Sequence, residues 1–157
     1  MPIDRRHLGR RYGPYRFEAG RESILDFAAA TAGRVPGRVF LGAPPAATPP
    51  PGQEGGDEAG PIVAPPSYAA VFAIQPFASA CADPEIGLNV LRLLHGEQTF
   101  EFIEPVRAGD TLVTTGVITR AQERGNLDFL EVTTETVNQH GRLVVRGVWT
   151  AIVRNRS

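Results

Sequence analysis

Lysine is absent from this 157-residue chain, so all 16 of its cationic side chains are arginine. Glycine and proline are plentiful beside them, at 17 and 14 residues. Together these biases point to GC-rich coding, so arginine usage by itself carries no phosphate-binding meaning. Cysteine is nearly missing: Cys81 stands alone, which excludes an intramolecular disulfide. A small residue buried on a helix is the expected role for it, rather than a catalytic thiol. Nor is there an excess of charge of one sign. Sixteen cations face 17 carboxylates, for a formal net charge of −1, which gives no electrostatic footprint for nucleic acid or an anionic membrane surface. No apolar run approaches the ~18 residues of a membrane span. The opening Met-Pro-Ile-Asp-Arg-Arg-His has no apolar stretch behind its charges, so a secretory leader is not expected and a cytoplasmic location is. His7, His95 and His140 are too dispersed for recognisable metal-ligand spacing, so no metal site is expected.

What is present falls into four successive segments of a single expected domain spanning 1–157. A short extended piece around Tyr12–Phe17 leads into a helix opened by Glu18, Arg21 and Glu22. Ile24, Leu25, Phe27 and Ala28 give that helix one apolar face, and Gly33 is a plausible stop. Residues 41–66 are dominated by proline, glycine and alanine, with almost nothing to pack a core. They predict a flexible, polyproline-like excursion within the domain rather than a linker between domains. Residues 66–81 then read Pro-Ser-Tyr-Ala-Ala-Val-Phe-Ala-Ile-Gln-Pro-Phe-Ala-Ser-Ala-Cys. Pro66 and Ser67 suit a helix start, and no charge follows until Asp83. A helix apolar nearly all round must be buried on most of its circumference. Pro76 should kink or end it.

The remainder is strand after strand. Leu94–Val106 alternates, with Gln98, Phe100 and Phe102 on one side and Glu97, Thr99 and Glu101 on the other. Thr111–Arg120, Asp128–Val137 and Leu143–Arg154 are rich in β-branched and aromatic residues. Turn clusters at 107–110, 123–126 and 139–142 separate them, and connections this short predict antiparallel neighbours in a meander. One all-apolar helix before a long antiparallel sheet has a simple burial solution, in which the sheet curves around the helix. The expected fold class is α+β, a hot-dog fold.

The stretch from Leu94 through Leu112, with its strand, its Pro105-x-x-x-Gly109-Asp110 turn and its second strand, carries a more specific signal. It resembles the N-terminal, FAS1-like dehydratase half of the MaoC-like dehydratase superfamily, which includes the non-catalytic subunit of heterodimeric (R)-3-hydroxyacyl thioester dehydratases. Tyr15-Arg16-Phe17-Glu18 with the following helix, and Ala64-Pro65-Pro66 before the central helix, also look like that family. The resemblance covers about 10–40 and 62–154. It implies reversible addition of water across a trans-2-enoyl thioester, giving an (R)-3-hydroxyacyl thioester. Catalytic members carry Gly-Asp-x-Asn-Pro-x-His, whose Asp and His activate the water, and a helix-start Gly N–H that stabilises the enolate oxygen.

Laid on this chain, that motif puts the catalytic Asp at Gly33, the Asn at Val35, the Pro at Pro36 and the His at Arg38. No Asp or Glu occurs between Asp26 and Glu54, and no His between His7 and His95. The Ala-His-Gly of catalytic members falls on Ala64-Pro65-Pro66, and proline has no N–H to donate. No catalytic residue is therefore expected in the chain itself. The resemblance implies a non-catalytic subunit shaping the acyl tunnel, with activity only beside a catalytic hot-dog partner. It also implies an acyl-CoA or acyl-carrier-protein thioester as substrate and no cofactor. A hot-dog acyl-CoA thioesterase, using Asp83 or Glu85, and a stand-alone acyl-thioester-binding homodimer are the alternatives. Tyr68 and Phe72, one turn apart, are candidates for lining the acyl channel or for ordinary core packing. His95 is a candidate contact for the pantetheine or acyl group, or else a structural histidine at a strand end. Trp149 is expected in the core or at a dimer interface, Asp110 is expected to support its turn, and His7 to sit in a flexible N-terminus.

Overall fold

In the computed structural model of the chain, residues 5–32 and 62–154 are described. The positions aligned with the catalytic motif, Gly33 to Arg38, lie outside them, as does the proline-rich excursion up to residue 61. Five strands form one sheet: β1 (Arg11–Glu18), β2 (Leu93–Phe102), β3 (Thr111–Arg124), β4 (Leu127–Val137) and β5 (Leu143–Arg154). Helix α1 (Arg21–Ala32) follows β1, and the apolar segment forms α2 (Ala69–Ala73) and α3 (Gln75–Ala82) after a 3-10 turn at Pro66–Tyr68. The two helical pieces meet at Ile74, just before Pro76, which lies in the first turn of α3 where its missing N–H costs nothing. The expected kink falls there.

All strand pairs are antiparallel, in the order β1-β3-β4-β5-β2. Strands β3, β4 and β5 form the meander that their short turns predict. Strand β2 does not belong to it. Although only eight residues, 103–110, join β2 to β3, β2 pairs with β5 at the far edge, Leu93 opposite Val153 through Phe102 opposite Val145. Connector length alone misleads here, because the 103–110 segment is held by other parts of the chain. Ile103 N–H and Glu104 N–H both donate to Val144 O, and the residues beyond are gripped by 62–64 and by Ala19.

The central helix lies on the face of the sheet carrying Leu112, Ile118, Leu130, Val132, Val145, Trp149 and Ala151, all buried. Alternation along β4 and β5 places every second residue inward. Close approach is set at Gly116, where any Cβ would clash with the Cβ of Pro76. Trp149 is fully buried in this core and donates its indole N–H to Thr134 Oγ1 at 3.0 Å. His7 corrects the sequence reading: it is buried at 6% exposure in a 3-10 turn, Arg5–His7. The reason is local, since Gly9 N–H and Arg10 O bond to Ile118 and lay the N-terminal segment along β3.

Candidate functional site

The central helix begins where an extended lead-in ends. Ala64 N–H donates to Val106 O at 2.8 Å and Ala108 N–H to Ile62 O at 2.9 Å, with Val63 opposite Arg107. Pro65 is extended and Pro66 opens the 3-10 turn. From Ala64 to Pro66 no N–H is therefore left to donate: one is spent on Val106 and two do not exist.

Behind this lead-in is a cavity of about 480 Å³. Pro65, Pro66, Tyr68 and Phe72 form its helical wall, the segment from Phe102 to Val106 its outer wall, and Val144 and Val145 its sheet wall. Tyr68 and Phe72 are both buried and both line it. Their rings pack at 6.1 Å and join Phe17, while Phe27 of α1 meets Tyr68 edge-on at 5.3 Å. Tyr68 Oη is within 2.8 Å of Ser23 Oγ on α1, so its polar end is satisfied and its ring is fixed. Among the lining residues Glu104 is the one carboxylate, and it is paired with Arg142 at 3.3 Å. The arrangement suits an apolar chain. Among the described residues that line it there is no histidine and no free acid.

His95 lies elsewhere. It sits on β2, exposed, with its ring 5.2 Å from Phe77 and 5.6 Å from Trp149, and it does not line the cavity. Asp83 and Glu85 follow the C-terminal end of α3, away from the cavity. Asp83 Oδ2 accepts from Tyr12 Oη and pairs with Arg10, both at 2.8 Å, and Arg10 also binds Glu85. Burial would raise the Asp83 carboxyl, but the bonds from Tyr12 and the Glu85 N–H, with the Arg10 charge, hold it below its ordinary value. Burial and the bond to Asp83 in turn raise Tyr12. Asp110 supports its turn as expected, accepting the Arg107 N–H at 2.7 Å and Gln139 Nε2 at 3.0 Å.

At Phe102, the last residue of β2, the outer wall of the cavity adjoins an edge of the sheet. Strand β2 is hydrogen-bonded only to β5 among the described strands. It has no proline, and Leu94 is 68% and Phe102 51% exposed; Leu91, just before it, is 93% exposed. The opposite edge, β1, is interrupted by an irregularity at Gly13-Pro14. Strand β2 also shifts register, between His95 and Glu97, but it keeps its backbone donors and exposes Leu94 and Phe102, so a further strand could pair along it.

Fold and cavity together define a hot-dog protein. Residues 51–146 match the family model for the FAS1-like dehydratase domain region, and the chain belongs to that family. It is 32% identical over 155 residues to a UPF0336 protein of Saccharopolyspora erythraea, covering 98% of this chain and 93% of that one. A UPF0336 protein of Streptomyces coelicolor is 31% identical over 154 residues, with 98% and 95% covered. Among solved structures, a chain of the C-terminally truncated HadBC (3R-hydroxyacyl-ACP dehydratase) complex from Mycobacterium tuberculosis superposes with a TM-score of 0.69. Its identity is 23%, with 93% of this chain and 96% of that chain covered. The MaoC-like dehydratase from Rhodospirillum rubrum gives a TM-score of 0.62 at 16% identity, covering 96% and 94%. At these identities the two structures share the fold.

Proposed function

We infer that the chain is a non-catalytic subunit of a MaoC-like (R)-3-hydroxyacyl thioester dehydratase. It holds the acyl part of a CoA or carrier-protein thioester for a hot-dog partner that supplies the catalytic Asp and His. The observation that carries this reading is the apolar cavity, whose outer wall starts at Phe102, the last residue of the edge strand β2, and continues into the 103–106 connector. A partner strand added to β2 would lie beside the Phe102 end of the cavity, so ligand site and interface adjoin.

The chemistry divides accordingly. Hydration places a hydroxyl on C3 and a proton on C2 of the enoyl thioester, which needs an acid–base pair and a donor for the enolate oxygen. In this chain the motif positions read Gly33 and Arg38, residues 64–66 have no N–H to give, and Glu104 is engaged by Arg142. What the chain contributes is a dry wall that orients the acyl chain. The matched dehydratase-domain family, and the likeness of fold to a chain of a dehydratase complex, support this division. Asp83 and Glu85, the acids that a thioesterase would use, do not line the cavity.

The test is reconstitution. The purified chain alone is expected to leave crotonyl-CoA unhydrated. Co-purification with a hot-dog subunit carrying Gly-Asp-x-Asn-Pro-x-His is expected to give a complex that hydrates it faster than that subunit alone. Hydration by this chain alone at ordinary enzymatic rates would overturn the reading. Acyl-CoA binding without any gain from a partner would assign a stand-alone binder instead.

A further inference from the structure

Four segments meet beside the Val106 wall of the cavity: the end of β1, the lead-in 62–66, the 103–110 connector and the β4–β5 turn. They cross at one residue that does not line the cavity, Asp110. Its carbonyl oxygen accepts the Ala19 N–H at 2.8 Å, and the neighbouring Gly109 N–H returns to Ala19 O at 2.8 Å, a turn that Gly109 permits with φ +93°. Its carboxylate accepts the Arg107 N–H through Oδ2 and Gln139 Nε2 through Oδ1. Gln139 Oε1 in turn accepts the Thr111 N–H at 3.2 Å. The turn closed in this way carries Val106 and Ala108, whose backbone bonds hold Ala64 and Ile62. Ala64, Pro65 and Val106 are walls of the cavity.

We propose that Asp110 is a positioning residue for the acyl site. Through the Arg107–Asp110 turn it fixes the spacing between the lead-in and the 103–106 wall, and thereby the affinity of the cavity for its ligand. The proposal rests on the cavity being the acyl site.

Donor counting supplies a test that separates positioning from simple folding. The Asp110 carboxylate accepts two bonds and donates none. Gln139 accepts from Thr111 and donates through Nε2 to Asp110, the same nitrogen lying 3.4 Å from exposed His140 Nε2. Asp110→Asn turns an amide NH₂ toward Gln139, which cannot then satisfy both Asn and the Thr111 N–H. Gln139→Glu places two carboxylates face to face. The double variant Asp110→Asn/Gln139→Glu restores the bonds from the Arg107 and Thr111 N–H groups and the 110–139 bond, with the polarity of the side-chain pair reversed. Kd for hexanoyl-CoA is measured calorimetrically on the full chain, with and without the partner subunit, at a temperature where circular dichroism shows every variant folded. Amide exchange of Ala64 and Ala108 is followed in parallel.

Each single variant is expected to weaken binding about fivefold or more and to speed exchange at both amides, as loss of one bond in a shared network does. The double variant is expected to recover most of both. Wild-type affinity in the single variants despite faster exchange would overturn the proposal, leaving Asp110 a turn-former only. So would a double variant as weak as the singles. Absence of hexanoyl-CoA binding by the wild type, with or without partner, would overturn the acyl-site reading and this proposal with it.

Discussion

Two side chains at the C-terminal end of α3 are set by opposite electrostatics. Cys81 is buried, and loss of hydration pushes its thiol up to about 12. Since the thiolate is the reactive form, Cys81 is expected to resist Ellman's reagent at pH 8 in the native protein and to react fully once denatured. Rapid modification without loss of structure would contradict its burial. Asp83 is displaced downward by Tyr12, the Glu85 N–H and Arg10, against its burial. A carboxyl whose folded value lies below its unfolded value of about 3.9 contributes stability above that pH. That contribution disappears as pH falls through the folded value. Asp83→Asn is therefore expected to cost about 1 kcal/mol at pH 7. It should also make the melting temperature fall less steeply than the wild type's below pH ~4. Parallel melting curves taken across that range would rule the assignment out.

Helix and sheet touch most closely where Pro76 of α3 lies over Gly116 of β3. A methyl at Gly116 would collide with the proline ring and come within 3.2 Å of a Val132 methyl. Neither neighbour can swing aside, so Gly116→Ala is expected to destabilise by about 1–3 kcal/mol, as overpacking does, measurable by urea unfolding. An unchanged midpoint would mean that the helix has room to lift. The elements themselves were legible in the sequence because their periodicity is strong. Strand β5 was bounded correctly at Leu143 and Arg154, and Pro76 marked the break between α2 and α3. The position of β2 was not legible. A short connector predicts pairing of the strands it joins, yet nothing in residues 103–110 announces that Val144, Ala19 and Ile62 will hold them. The site was half legible for the same reason. Tyr68 and Phe72 share one helix turn and could be named together, whereas Val144, Val145, Phe102 and Ile103 reach the cavity only through sheet order. His95 was named through family resemblance, and its ring contacts belong to the Trp149 stack.

At the scale of the whole molecule, the two edges of the sheet differ in what they carry. Strand β1 ends the sheet with a Gly13-Pro14 irregularity and a polar seam onto α3, where Tyr15 Oη donates to Ser79 Oγ and Tyr12 Oη to Asp83. Strand β2 ends it with ten residues free of proline and with Leu94 and Phe102 in the open. Leu91 and Leu94 separate the two roles of this edge, because neither lines the cavity and both are largely exposed. Charging them costs the isolated chain little, since exposed positions away from special features change stability by no more than about 0.5 kcal/mol. It would place cations where an apolar strand partner must settle, and unpaired charge in a desolvated interface is costly. The double variant Leu91→Lys/Leu94→Lys is therefore expected to melt within a few degrees of the wild type. It should bind the catalytic hot-dog subunit at least about tenfold more weakly, and give correspondingly less hydratase activity in the mixed complex. Light scattering of the mixture reports the association, and crotonyl-CoA hydration reports its consequence. If association and activity both persist unchanged, the partner docks on a surface other than the β2 edge.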